Sequence, residues 1–235
     1  MQLFYYPNID ASTVSLALDK EDARHMTRVL RKKTGDQVHI TNGAGLLFTA
    51  TIGLITNSKC ELHLAFAKAE PLPSYQLHIA IAPTKMNDRM EWFLEKATEM
   101  GVTRITPLLC DHSERKKINH ERFDKILVSA MKQSLQLYKP QLDELTAFTD
   151  FIAERTDAQK FIAHCEETQK QTLQEIATKS SNVLMLIGPE GDFSSTEISA
   201  AINSGFRPVS LGNNRLRTET AGVYTSAIFN GINSF

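Results

Sequence analysis

The sequence predicts a two-part α/β chain: a small β-rich module, then a larger domain built on a mostly parallel sheet with helices on both faces. Three observations predict it. Apolar residues alternate with period two in the first part, as half-buried strands require. The stretch Ala69-Glu70-Pro71-Leu72-Pro73-Ser74 then places two prolines within three residues, which neither a helix nor a strand interior accommodates. Beyond it, short apolar runs alternate with segments whose hydrophobic residues recur at helical spacing, the pattern of parallel strands joined through helices. The expected division is residues 1–70, a linker at 71–76, and residues 77–235.

In the first part, Val38 and Ile40 point opposite to Gln37, His39 and Thr41, and Cys60, Leu62, Leu64 and Phe66 opposite to Glu61, His63 and Ala65. Gly35-Asp36, Asn42-Gly43 and Asn57-Ser58 supply turns between strands. One helix is expected over 21–31, burying Met26, Val29 and Leu30. In the second part, 77–82 reads as a strand. Met86, Met90, Phe93, Ala97 and Met100 then line one helix face that stops at Gly101. Residues 104–109 form a strand, and Phe123, Ile126, Leu127, Ala130, Met131, Ser134 and Leu135 a second helix face ending before Pro140. Strands follow at 160–164, 183–187 and 208–211, and a last helix buries Ala221, Tyr224, Thr225, Ile228, Phe229 and Ile232.

At 235 residues, with 42% hydrophobic and 23% charged content, the chain has the make-up of a soluble globular protein with a sizeable core. Cys60, Cys110 and Cys165 form neither a zinc signature nor a disulfide framework, so a reducing compartment and no metal are expected. Residues 1–10 lack the basic-then-apolar pattern of a signal peptide, and 183–187 is too short to span a bilayer, so a cytoplasmic location is expected. A net charge of −1 excludes a bulk attraction to nucleic acid, so phosphate contacts must come from local faces. Two exist: Arg24, Arg28 and Arg31 along the first helix, continued by Lys32 and Lys33, and the run Arg115-Lys116-Lys117. Each reads equally as a solvated surface.

Two strand-then-turn segments concentrate the chemistry. One is Leu186-Ile187-Gly188-Pro189-Glu190-Gly191, followed by Ser194-Ser195-Thr196-Glu197 in the form of a capping box. The other is Leu211-Gly212-Asn213-Asn214-Arg215-Leu216-Arg217-Thr218-Glu219-Thr220-Ala221. Glycine corners at the ends of neighbouring strands make a cleft lined by main-chain donors and acceptors. Singly, the first reads as well as a tight connection without a ligand, and Arg217 and Glu219 as capping charges behind an N-cap at Thr218. As a pair they predict a ligand cleft.

Together these segments resemble the signature of SPOUT methyltransferases, whose α/β domain is trefoil-knotted. More narrowly they are similar to the bacterial 16S ribosomal RNA uridine N3-methyltransferase family. Further matches are Glu95-Lys96-Ala97-Thr98-Glu99-Met100-Gly101-Val102, Ile105-Thr106-Pro107-Leu108, Ser113-Glu114-Arg115 and Gln133-Ser134. His25, Arg28-Val29-Leu30-Arg31 and Gly35-Asp36 fit the family's PUA-like β-barrel module. The chain departs from the family's pattern at Asp192-Phe193, where a second glycine is common, at Asn213-Asn214, where a proline turn is usual, and at Lys132 and Gln136.

The resemblance implies a SPOUT-type knotted domain behind a PUA-like module, with S-adenosylmethionine held by His164, Ile187, Gly188, Glu190, Gly191, Leu211, Gly212, Asn213 and Leu216. The substrate implied is a uridine of 16S rRNA in the small ribosomal subunit, its phosphates meeting Arg24, Arg28, Arg31, Lys32, Arg115 and Lys116. It also implies a homodimer, with the first and last helices of the second domain, which bear Trp92, Phe93, Tyr224 and Phe229, as the expected contact. Uridine N3 becomes nucleophilic only when its imide proton leaves, so charge must be stabilised on the flanking carbonyls. Arg217 is the expected stabiliser and Glu219 the expected proton acceptor. Two other readings stay open. One is a nucleotide-binding α/β enzyme, although no Gly-rich loop ending in Lys-Ser or Lys-Thr is present. The other is a non-catalytic RNA-binding factor in ribosome assembly.

Overall fold

The computed structural model of the chain describes residues 2–56, 58–153, 158–167 and 169–233. It separates into two compact units, one running to Leu72 and including Met131–Lys139, the other made of Pro73–Ala130 and the chain from Pro140 onward.

The first unit holds β1 (Leu3–Tyr5), β2 (Ser15–Leu18), α1 (Lys20–Arg24), β3 (Gln37–Thr41), β4 (Leu46–Ile55) and β5 (Cys60–Ala69). The strands form one sheet in the order β1-β3-β4-β5-β2, with β1 parallel to β3 and the other pairs antiparallel. β1 and β2 are its edges, so the sheet is a half-barrel. Alternation places Val38, Ile40, Phe48, Ala50, Ile52, Cys60, Leu62 and Leu64 in its core, closed by Ala23 and Met26. Phe66, paired with Phe48 just before a register shift in the β4–β5 pairing, is instead half exposed with its ring edge against Phe48.

The helix expected over 21–31 is a different object. Asp19 caps α1, and His25–Val29 then widens into a π-helical turn in which the Leu30 N–H reaches back to the His25 carbonyl. The extra residue per turn rotates the apolar face, so Val29 is 65% exposed while Met26 stays buried. Arg31 lies beyond the helix with φ +52°, off the face expected to align it with Arg24 and Arg28.

The second unit holds β6 (Leu77–Ile81), α2 (Asn87–Glu99), β7 (Arg104–Leu109), α3 (His120–Gln133), β8 (Gln141–Leu142), β9 (Thr146–Ala147), α4 (Phe148–Ile152), β10 (Gln159–Ala163), β11 (Gln171–Thr172), α5 (Leu173–Ile176), β12 (Val183–Ile187), α6 (Ser195–Asn203), β13 (Arg207–Ser210) and α7 (Thr218–Asn233). The sheet order is β11-β13-β10-β12-β6-β7-β8, with β9 beside β7, and every pairing is parallel. Successive strand residues face opposite layers. Leu77, Ile79, Ile81, Val183, Met185 and Ile187 pack with Phe93, Phe123, Leu127 and Phe229 of the helices on one side. Ala80, Ile162, Leu184 and Leu186 pack with Phe148, Phe151, Ile198 and Phe206 on the other. The two-residue strands and the short helix α4 have no periodicity and went unread in the sequence.

α3 also ends earlier than its apolar spacing predicts. Leu135 takes φ +60° and is 42% exposed, because the chain reverses there. Residues 136–139 then join the first unit: Tyr138 bridges to Ala44 and its hydroxyl donates 2.6 Å to the Glu70 carbonyl, and Leu137 packs with Leu3 and Leu47.

Candidate functional site

The parallel sheet brings the C-terminal ends of β10, β12 and β13 side by side, and a cleft of about 750 Å³ opens there. Main-chain groups at strand ends near a reversal of strand order have no partner in the sheet, which is why ligands bind at such places. Here β10 and β12 have been laid down on the opposite side of β6 from β7.

The first corner follows β12. Its Ser194 caps α6 in the capping box expected, with Glu197 returning to the Ser194 N–H at 2.9 Å. Asp192 stands at φ +64°, in the left-handed region that glycine favours. Its carboxylate compensates, accepting from the Cys165 N–H at 2.7 Å and from the Phe193 N–H at 2.8 Å. The departure from a second glycine therefore ties the end of β10 to this corner.

The second corner follows β13. Gly212, at φ +121°, makes the reversal that a side chain would resist. The sequence reading put Thr218 at the N-cap. In the structure the Arg217 carbonyl accepts the first helical bond, from the Ala221 N–H at 2.8 Å, and Thr218 opens α7. Its hydroxyl crosses instead to the other corner and donates to the Gly188 carbonyl at 3.0 Å. The two corners are thereby joined.

His164 faces this space from the end of β10. It is buried, and among the described residues neither ring nitrogen has a hydrogen-bond partner. Burial, reinforced by the Lys170 ammonium, holds its pKa below the usual histidine value, so the neutral ring is favoured. Lys170 is held by the carbonyls of His164 and Glu166, each at 2.7 Å. A buried polar ring with no partner is costly and suits a site that receives one.

His164, Ile187, Gly188, Glu190, Leu211, Gly212, Asn213 and Leu216 line the cleft, as does Arg217, which is exposed at its rim. Gly191 is not among the lining residues. Its carbonyl and that of Asp192 face Nδ1 of His112, at 3.2 and 3.0 Å. Glu190 also braces the loop after β6, accepting from the Lys85 N–H at 2.9 Å. Arg115, expected to meet phosphate, clamps the same loop, with Nε on the Thr84 carbonyl at 2.9 Å and an amine on the Lys85 carbonyl at 2.5 Å.

Glu219 does not line the cleft. It is 6% exposed, with Arg89 Nε 3.8 Å from its Oε1. Of the aromatic residues on the first and last helices of this unit, Phe93 and Phe229 are fully buried in the core, whereas Trp92 is exposed. Arg24, Arg28 and Lys116 are exposed, and Lys32 donates to the Gln37 carbonyl at 3.3 Å. Sequence reasoning missed Arg89, Lys170 and the structural use of Asp192; only the last left a signal, an aspartate where glycine is common.

Comparison with known proteins agrees with this architecture. A family profile described as an RNA methyltransferase domain matches residues 70–230, and one described as an RNA methyltransferase PUA domain matches residues 18–64. The chain is 28% identical over 215 residues to Ribosomal RNA small subunit methyltransferase E of Rickettsia conorii, covering 90% of this chain and 87% of that one. It is 30% identical over 214 residues to the protein of the same name from Buchnera aphidicola subsp. Acyrthosiphon pisum, covering 88% and 83%. Its structure resembles a probable rRNA-methyltransferase from Porphyromonas gingivalis, with a TM-score of 0.92, 37% identity, and 100% and 99% of the two chains covered. It also resembles a Legionella pneumophila protein solved as a methyltransferase in complex with the bound cofactor SAM, with a TM-score of 0.87, 28% identity, and 98% and 97% covered. The chain belongs to the RNA methyltransferase family, with a PUA domain ahead of a SPOUT-type α/β domain.

Proposed function

We propose that this protein methylates N3 of a uridine in 16S rRNA of the small ribosomal subunit, using S-adenosylmethionine. The observation that carries the reading is His164, buried and unpartnered at a cleft whose two glycine corners are joined through Thr218 and Gly188. The cleft fits the cofactor's chemistry. Backbone at Gly188, Leu211, Gly212 and Leu216 presents donors and acceptors to an adenosyl group, His164 offers a neutral ring, and Ile187 and Asn213 complete the wall. Gly191 and Glu190 shape the first corner, and the Glu190 carboxylate places negative charge beside a sulfonium. When bound, the cofactor supplies an electrophilic methyl, and transfer breaks its S–CH3 bond, forms N3–CH3 and releases the N3 proton.

Arg217, exposed at the rim, is the group that stabilises charge on the uracil carbonyls as that proton leaves. Arg24, Arg28, Arg31 and Lys116 are placed in solvent and suit phosphate contact. Lys32 and Arg115, already engaged with backbone, act by shaping their loops. The reading extends to a cytoplasmic homodimer, with Trp92 at the contact.

Isothermal calorimetry with S-adenosylmethionine tests the cleft: binding is expected for the native chain and is lost in Gly188→Val and Gly212→Val, with no heat from ATP. Tritiated methyl transfer to unmodified small subunits tests the reaction, and mass mapping of rRNA from cells lacking the protein locates the nucleotide. Cofactor binding without transfer to any rRNA would refute the enzymatic reading.

A further inference from the structure

The carboxylate of Glu219 is buried and stands apart from the lining of the cleft. Its Oε2 is buried and accepts no hydrogen bond among the described residues, and its Oε1 faces Arg89 Nε at 3.8 Å. Burying a charge is tolerated where an opposite charge accompanies it, so the pair is a unit. Arg89 differs in exposure, with 36% of its side chain open to solvent. One member is therefore an anchor and the other a reaching group.

Glu219 and Arg89 each adjoin, along the chain, a segment tied to the cleft lining. Glu219 follows Thr218, whose hydroxyl bonds the Gly188 carbonyl, and Thr218 follows Arg217 at the rim. Arg89 occupies the first turn of α2, just past the loop that Glu190 and Arg115 clamp at Thr84 and Lys85. β6, which feeds that loop, pairs with β12, which feeds the first corner, and the Ala82 N–H donates to the Ile187 carbonyl at 3.0 Å.

Resting on the function proposed above, we propose that Arg89 is a second cation that contacts the substrate. With Arg217 it holds the two carbonyl oxygens flanking uracil N3, while Glu219 is a positioning residue that aims Arg89. The imide edge of uracil presents acceptor, donor, acceptor, and on loss of the N3 proton its charge sits on both oxygens. Two guanidiniums match that distribution in a way one cannot, and they mismatch the amino group of cytosine. The proton departs to water, so no buried base is required.

The test uses the full chain, with methyl transfer to unmodified small subunits and calorimetry with S-adenosylmethionine measured on each variant. Arg89→Ala is expected to lower kcat about 100-fold, the usual loss for one charge-stabilising donor. Cofactor affinity should stay within about twofold, since Arg89 is outside the cofactor cleft. Its pH–rate profile should move to higher pH, because the imide anion has lost a cation, and Arg89→Lys should recover part of the rate. Glu219→Gln should reproduce the Arg89→Ala defect, and the double variant should be no worse than either. Arg89→Ala within twofold of native rate, loss of cofactor binding with it, or defects that multiply in the double variant would each overturn the inference. A native chain that binds cofactor yet transfers no methyl overturns the function itself, a result distinct from an active native chain indifferent to Arg89.

Discussion

The Thr218 hydroxyl donates to the Gly188 carbonyl at 3.0 Å, joining the first turn of the last helix to the corner after β12. Both groups are buried, so water cannot replace either partner. Thr218→Val keeps the shape and removes the donor. We expect a loss of about 1–3 kcal/mol of stability, with a smaller thermal shift on adding S-adenosylmethionine than the native chain shows, as weaker binding requires. Thermal melts with and without cofactor measure both. An unchanged shift would show that the corners keep their geometry without the bond.

Gly222 lets α7 lie close on α2. A Cβ there would stand 2.4 Å from Phe93 Cε2 and 3.1 Å from Ile81 Cδ1. Alanine raises helix propensity by about 1 kcal/mol, but overpacking in a closed core costs about 1–3 kcal/mol. The second effect should win, and Gly222→Ala should unfold at lower denaturant. Gly231→Ala, in the same helix with open space around it, should be neutral or stabilising.

If the proposed site holds, His164 is expected to set the pH dependence of cofactor binding. Burial and then Lys170 keep its pKa below the ordinary value of 6.5, so the ring is neutral at neutral pH and gains a proton only in more acid solution. A protonated imidazolium would repel a sulfonium. The calorimetric Kd should be flat above pH 6.5 and weaken as pH falls through the folded-state pKa. His164→Phe should weaken binding roughly fivefold, the worth of one hydrogen bond, and abolish that acid limb.

His78 sets the acid limit of stability. Burial, then the neighbouring Arg104, lower its pKa from 6.5 to about 4, outweighing the attraction of Asp143. The unfolded chain therefore takes up a proton near pH 6.5 that the folded chain refuses until about pH 4, so stability falls between those values as pH drops. The expected loss is about 3 kcal/mol across the window. Asp143 acts in the same direction but lower: burial opposes its ionisation, hydrogen bonds from Arg104 and Thr106 outweigh burial, and its stabilisation disappears only below the ordinary value of 3.8. Urea titrations at pH 7 and pH 4.5 should show His78→Gln with the flatter dependence.

Sequence and structure part company where one long-range contact overrides a local pattern. Strand 183–187 was legible because a run of five apolar residues leaves few alternatives. The capping box at Ser194 was legible for the same reason, since its two bonds span three residues. Val29 was misread because the π-helical turn at His25–Val29 changes the period on which the reading depends. Leu135 was misread as well, expected on the buried helix face and found 42% exposed.

The longer strands and helices and the two glycine corners are properties of neighbours in the chain, and the sequence alone determined them. Which acid anchors which arginine, that Arg115 clamps a loop, and that Thr218 reaches Gly188 depend on groups tens of residues apart. A side chain's local spacing says which face it occupies. Only the packed fold decides what stands opposite, because burial and pairing energies exist between surfaces that the chain brings together last.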